Sequence, residues 1–133
     1  MKRILLYGLT LLLVLQVSGQ DGTRLQALKI AYLTKKLDLS PEEAQRFWPV
    51  YNQYDEEIHA AQINAVKDRT PEIDLEEKIL GIRKKYSVDF GKVLSAEKVN
   101  TFFRAEKEFG NFVRKEIERR QLKMQQRRSL IKP

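Results

Sequence analysis

The single histidine of this 133-residue chain, His59, follows Glu56 by three residues and Asp55 by four. On a helix that spacing puts an imidazole and two carboxylates on one face. Such a trio could hold a metal weakly, but structural zinc sites use four ligands of defined spacing, and a solvated polar helix face is the plainer reading. Serine-histidine-aspartate hydrolysis would have to use the same His59. There is no cysteine, which removes thiol nucleophiles, disulfide staples and any cysteine-linked lipid. The carboxylate pairs Glu42-Glu43, Glu56-Glu57 and Glu76-Glu77 fall at helix starts or on polar faces, where the helix macrodipole and i,i+4 pairing account for them. Phosphate-cradling glycine loops are lacking. These residues predict a non-enzyme with no cofactor and no metal.

A different chemistry repeats. Ser40, Pro41 and Glu43 form a capping box: the serine hydroxyl and the glutamate carboxylate each satisfy an orphan backbone N–H, and proline occupies the first helical position, where its missing N–H is harmless. The stretch Leu39-Ser40-Pro-Glu-Glu43-Ala-Gln-Arg-Phe47-Trp48 aligns with Leu94-Ser95-Ala-Glu-Lys98-Val-Asn-Thr-Phe102-Phe103 at a constant offset of 55 residues. Each copy follows one amphipathic segment and opens another, so the chain reads as two tandem helical hairpins.

The elements around these caps are helical throughout, because apolar residues recur at three- and four-residue spacing and not in alternation. A first helix is predicted from about Arg24 to Leu37, with Leu25, Leu28, Tyr32 and Leu33 as its stripe. A second starts at the Ser40 cap and carries Phe47, Tyr51, Tyr54, Ile58, Ala61 and Ala65, ending at Asp68-Arg-Thr-Pro71. Pro49 inside it removes one ladder bond, and a kink is expected there. A third, from about Leu75 to Val93 and started by Thr70-Pro71 or Asp74, shows Leu75, Ile79, Ile82, Tyr86, Phe90 and Val93. Its Gly81 and Gly91 fit either close helix approach or local softness. The fourth opens at Ser95 and carries Val99, Phe102, Phe109, Val113 and Ile117, after which the pattern decays into a basic stretch read as a frayed tail. The expected layout is residues 1–19 as a signal, 20–120 as a four-helix domain and 121–133 as a disordered basic tail. Long stripes with short connections fit either a closed four-helix bundle or an open layer that completes its core by dimerising. Four stripes on so few residues leave enough apolar area to make a homodimer the expectation.

Lys2 and Arg3, the apolar run Ile4 to Val17 and the small residues of Val17-Ser18-Gly19 make a secretory signal, with cleavage near Gly19/Gln20. The run is shorter than the approximately 20 residues of a membrane span, so stable membrane insertion is not expected. The full chain is +7 at neutral pH. The signal holds two of the 25 basic residues and none of the 18 acidic ones, so the rest is about +5. Export argues against nucleic acid as the partner of a basic protein and leaves acidic or unfolded polypeptide, anionic surfaces or the envelope itself.

Cations interleave with aromatics at Arg83-Lys84-Lys85-Tyr86, Phe102-Phe103-Arg104 and Phe112-Val113-Arg114-Lys115. Rings offer apolar contact, and long cationic side chains suit acidic segments. Trp48 is turned about 100° from its neighbours in the second helix; core or inter-hairpin packing is the plainer reading for a tryptophan, and a partner-facing role is the other. The expected client-binding set is Trp48, Tyr51, Lys84, Lys85, Phe103 and Arg104.

At its two capped repeats the sequence resembles the Spy/CpxP family of periplasmic stress proteins, which carry a twice-repeated LTxxQ motif. The copies here are Leu39-Ser40-Pro41-Glu42-Glu43 and Leu94-Ser95-Ala96-Glu97-Lys98, and the stretch from Leu37 to Tyr51 is most similar to the divergent Bacteroidetes branch. Serine for threonine and Glu43 for glutamine preserve the cap chemistry, whereas Lys98 cannot accept the return hydrogen bond. The resemblance implies a cradle-shaped homodimer acting as an ATP-independent chaperone on partly unfolded envelope proteins, or, alternatively, as an adaptor for the sensor domain of a membrane stress-signalling protein. It does not carry over the zinc of one branch, whose ligand-rich elements are missing here.

Overall fold

The computed structural model describes residues 20–131; the expected secretory signal over residues 1–19 lies outside them. Among the described residues there are four α-helices and no strand: α1 (Gln20–Leu37), α2 (Pro41–Asp68), α3 (Glu72–Val93) and α4 (Ala96–Ile131). The all-helical reading therefore holds. Among the described residues two compact units emerge, one of residues 36–108 and one pairing residues 20–35 with residues 109–131.

Local chemistry sets the helix ends. Asp38 lies between α1 and α2 at φ 47°, a left-handed conformation that aspartate tolerates better than most residues. Ser40 is the α2 N-cap in extended conformation and makes both bonds of the capping box. Pro49 is carried inside an α2 that runs unbroken from Pro41 to Asp68. Arg69 ends α2 in the left-handed region (φ 51°, ψ 43°), its N–H directed to the carbonyls of Ala65 and Val66, while Thr70 N–H donates to Ala65 O at 2.9 Å. The α3 helix begins earlier than its apolar stripe suggests. Pro71 is its cap residue, without a side-chain bond, and the first backbone bond runs from Leu75 N–H to Pro71 O at 3.1 Å. Glu72 and Asp74 in its first turn complement the macrodipole instead.

The largest departure from the sequence-based expectation is at α4, which stays helical through Ile131 where a frayed tail is expected. Every residue from 118 to 128 is Glu, Arg, Gln, Leu, Lys or Met, all strong helix formers. Glu116 also accepts from Arg119 (2.6 and 3.0 Å) and Arg120 (3.1 Å) one turn on, the spacing at which such pairs support a helix. Local preference continues the helix after the apolar stripe has stopped.

The core of the unit spanning residues 36–108 is aromatic. Phe47, Tyr51, Phe90 and Phe102 are fully buried and Tyr54 nearly so. Phe47 lies 5.5 Å from Phe90, and Tyr54 lies 5.6 Å from Tyr86, so α2 and α3 run antiparallel. Phe102 of α4 meets Phe47 edge-on at 5.5 Å, Tyr54 at 5.8 Å and Phe90 at 4.6 Å. Tilted and edge-to-face arrangements are those that ring quadrupoles favour, and each pair adds about 0.5–1.5 kcal/mol to the area it buries. Phe47 and Phe102 occupy equivalent places in the 55-residue repeat, so the two copies of the motif meet at the centre of this core. In the other unit, Tyr32 packs on Phe109 with ring centres 5.5 Å apart.

Gly81 and Gly91 are not sites of close helix approach. A β-carbon at either position would meet nothing within 4 Å.

Candidate binding surface

The two capped helix starts are joined by one side chain. Ser40 Oγ accepts Glu43 N–H at 3.1 Å, and Ser40 N–H donates to Glu43 Oε1 at 3.2 Å. In the second copy Ser95 Oγ accepts Lys98 N–H at 3.2 Å, the half of the box that a lysine permits. The Lys98 ammonium reaches instead to the first copy, donating to both Glu43 oxygens (2.8 and 3.1 Å) and to Asp38 O at 2.9 Å. The third helical residues of the two repeats thus form an ion pair with each other. Lys98 first, then the Ser40 N–H, hold the Glu43 carboxyl below its usual range. Of the leucines that precede the caps, Leu94 is buried and Leu39 half-buried.

The six residues expected to face a client separate. Tyr51 is fully buried and stacks on Phe47; its hydroxyl is pushed well above the usual phenol range, chiefly by burial and then by the nearby charges of Asp55 and Glu106. As a client-contacting residue Tyr51 is therefore a correction: its position on the α2 stripe makes it core. Trp48 is half-buried, edge-on to Phe47 (4.9 Å) and Tyr51 (5.3 Å). Phe103 is likewise half-buried, against Phe102 (5.0 Å), Phe90 (6.0 Å) and Tyr54 (6.2 Å). Lys85 is engaged by the chain itself: its ammonium donates to Glu57 at 2.7 and 2.8 Å and sits 4.9 Å from the Tyr86 ring centre. Tyr86 donates its hydroxyl to the same Glu57 at 2.7 Å, which pushes its own pKa up to about 12. Glu57 is held low by Lys85 and then Tyr86. Lys84 and Arg104 are exposed.

Around Lys84 lies a feature absent from the sequence-based expectations. Ile73, Leu80 and Val88 are 75%, 50% and 62% exposed, and with Glu77 and Lys84 they fall on a strip of α3 that lies about 100–180° around the helix from the Tyr86 and Phe90 face at about 100° per residue. The strip runs for about 22 Å at 1.5 Å per residue. The α3 helix is therefore apolar on two faces, one buried and one in water, the wet face carrying one cation and one anion. The signal was legible at positions 73, 80 and 88 but lay behind the stronger stripe of Leu75, Ile79, Ile82, Tyr86 and Phe90.

Deeper in the same unit, the buried Tyr54 hydroxyl donates to Glu106, whose carboxylate lies 3.9 Å from Arg83. Burial, then the Glu106 charge, push the tyrosine up, and this trio ties α2, α3 and α4 together. Among the described residues no group of three or more His, Asp and Glu converges as metal ligands, and no helix is long and apolar enough to cross a membrane. Asp55 and His59 do meet, at 3.5 Å, on an exposed helix face.

Compared with known protein families, curated proteins and solved structures, the chain matches none.

Proposed function

We propose that the protein is an ATP-independent periplasmic holdase of the Spy/CpxP type, built from a duplicated helical hairpin and working as a homodimer on partly unfolded envelope proteins. The observation that carries this reading is the wet apolar strip of α3. Ile73, Leu80 and Val88 lie in water, with Lys84 among them, on a helix whose other face already fills the core. Water-exposed apolar side chains in line mark interaction surfaces, and a cation between them suits clients that mix apolar and acidic residues. Arg104 and the accessible edges of Trp48 and Phe103 extend the same chemistry on α4 and α2. The shared caps, the Glu43–Lys98 pair and the Phe47–Phe102 contact support duplication.

Light scattering of an aggregating, chemically unfolded protein, without nucleotide, tests this. Suppression near stoichiometric ratios is expected, with Leu80→Ser/Val88→Ser losing most of it while keeping its helical circular dichroism. No suppression by the folded protein overturns the holdase reading. Stoichiometric capture of one membrane sensor from envelope extracts would then favour the adaptor.

A further inference from the structure

Within residues 20–131 the net positive charge sits in one stretch of helix. From Gln20 to Val113 the chain holds fifteen basic and sixteen acidic residues; from Arg114 to Ile131 it holds seven basic and two acidic. Residues 20–113 are therefore near neutral, and +5 of the chain's +7 belongs to the last five turns of α4. All residues from Ile117 to Ile131 are exposed.

These turns have a sidedness of their own. Ile117, Met124 and Ile131 are 51%, 54% and 79% exposed and follow one another at seven-residue steps, which drift by only about 20° each around a helix. Arg120 and Arg127 lie along one edge of that line and Arg128 along the other, all within about 60° of Met124. Leu122 and Leu130 lie elsewhere on the circumference. The line is straight, about 21 Å long at 1.5 Å per residue, and has no groove beside it, since no residue of the stretch is buried.

We infer that residues 114–131 of α4 lie flat on an anionic phospholipid surface and hold the protein there. A helix with a row of apolar side chains sinks that row to the acyl boundary while its long basic side chains reach the headgroup phosphates. Five of the seven cations are arginine, whose planar fork binds phosphate oxygens in pairs. A plane that is apolar beneath and anionic above satisfies row and edges together. A flexible acidic peptide satisfies the charges alone, leaving Ile117, Met124 and Ile131 in water. This anchor is independent of client binding on α3.

The test is flotation of the full-length protein with vesicles of phosphatidylcholine alone, and of equal parts phosphatidylcholine and phosphatidylglycerol. Retention on the anionic vesicles only, weakening as salt is raised, is expected. Arg120→Gln/Arg127→Gln/Arg128→Gln should weaken it about 100-fold, each cation near such a surface being worth roughly 1 kcal/mol. Ile117→Ser/Met124→Ser/Ile131→Ser should weaken it at least tenfold, with the helical content of the free protein checked by circular dichroism. Both variants keep Ile4–Val17, so any vesicle binding by that stretch cancels. Equal binding to both vesicle types, or arginine variants that bind like the parent, overturns the proposal. If the serine variant binds unchanged and soluble polyglutamate competes fully, the segment is a polycation site for acidic protein, and the lipid anchor is likewise overturned.

Discussion

Residues 86–106, which span the end of α3 and the start of α4, and residues 117–131 of α4 are held by different forces. The first stretch buries Tyr86, Phe90, Leu94, Val99, Phe102 and Ala105, and its helices exist because their apolar faces have somewhere to go. The second buries nothing, and only backbone propensity and the Glu116 pairs sustain it. Helix is thus a poor indicator of packing in this chain: the same secondary structure marks a cooperative core in one region and a solvated rod in the other.

The sharpest test of that contrast is truncation of a ring at the centre. Phe102 is fully buried against Phe47, Tyr51, Tyr54, Phe90 and Phe103. Phe102→Ala should cost about 3–5 kcal/mol in urea unfolding, enough to unfold a domain of ordinary stability. Leu122→Ala, 20 residues on, should change stability by about 0.5 kcal/mol or less. Similar costs at both places would mean that the C-terminal rod is packed after all.

Next in size come the caps. Ser40→Ala should cost about 1 kcal/mol, and more than Ser95→Ala, since Ser40 holds a reciprocal box and Ser95 half of one. Acid should act through the same place. Glu43 titrates below its ordinary value of 4.5, so its contribution to stability is present above that value and is lost as pH falls through the lower folded one. Lys98→Met removes the first cause of the shift and should flatten that part of the acid-unfolding curve. An unchanged curve would show that the pair is solvated in solution.

The repeat and both serine caps were readable because a cap is local chemistry, written within four residues. The aromatic core was readable because buried stripes repeat at helical spacing. What escaped depends on two patterns overlapping on one helix, or on a contact between residues far apart in the chain. The wet strip at Ile73, Leu80 and Val88 shares α3 with a stronger stripe, Tyr51 looks equally suited to core and surface from its type, and the reach of Lys98 to Glu43 spans 55 residues. Lys84 and Lys85, adjacent in sequence, point to water and to Glu57 respectively, and no pattern of types separates them.

Smaller again, and opposite in sign, is the effect expected at the glycines. Gly81→Ala and Gly91→Ala meet no neighbouring atom and should each stabilise by about 0.5–1 kcal/mol, as alanine does in a helix interior. A loss at either position would reveal a close partner there, such as a second copy of the chain.

The smallest effect on global stability should come from the most disruptive residue, placed in the rod. Proline in a helix interior removes a ladder bond and clashes with the preceding turn, at a local cost of about 3 kcal/mol. Gln121→Pro should therefore unwind the turns around it and lower the helical circular dichroism. Because no side chain there is buried, that opening exposes no apolar surface that the core relies on, and local opening and global unfolding are separate events. The urea midpoint should stay where it is. Amides beyond Ile117 should likewise exchange with solvent far faster than those of Phe90 and Phe102, in the parent and the variant alike. A midpoint that falls with Gln121→Pro would show the rod and the core unfolding as one, and the division between packed and solvated helix would have to be redrawn.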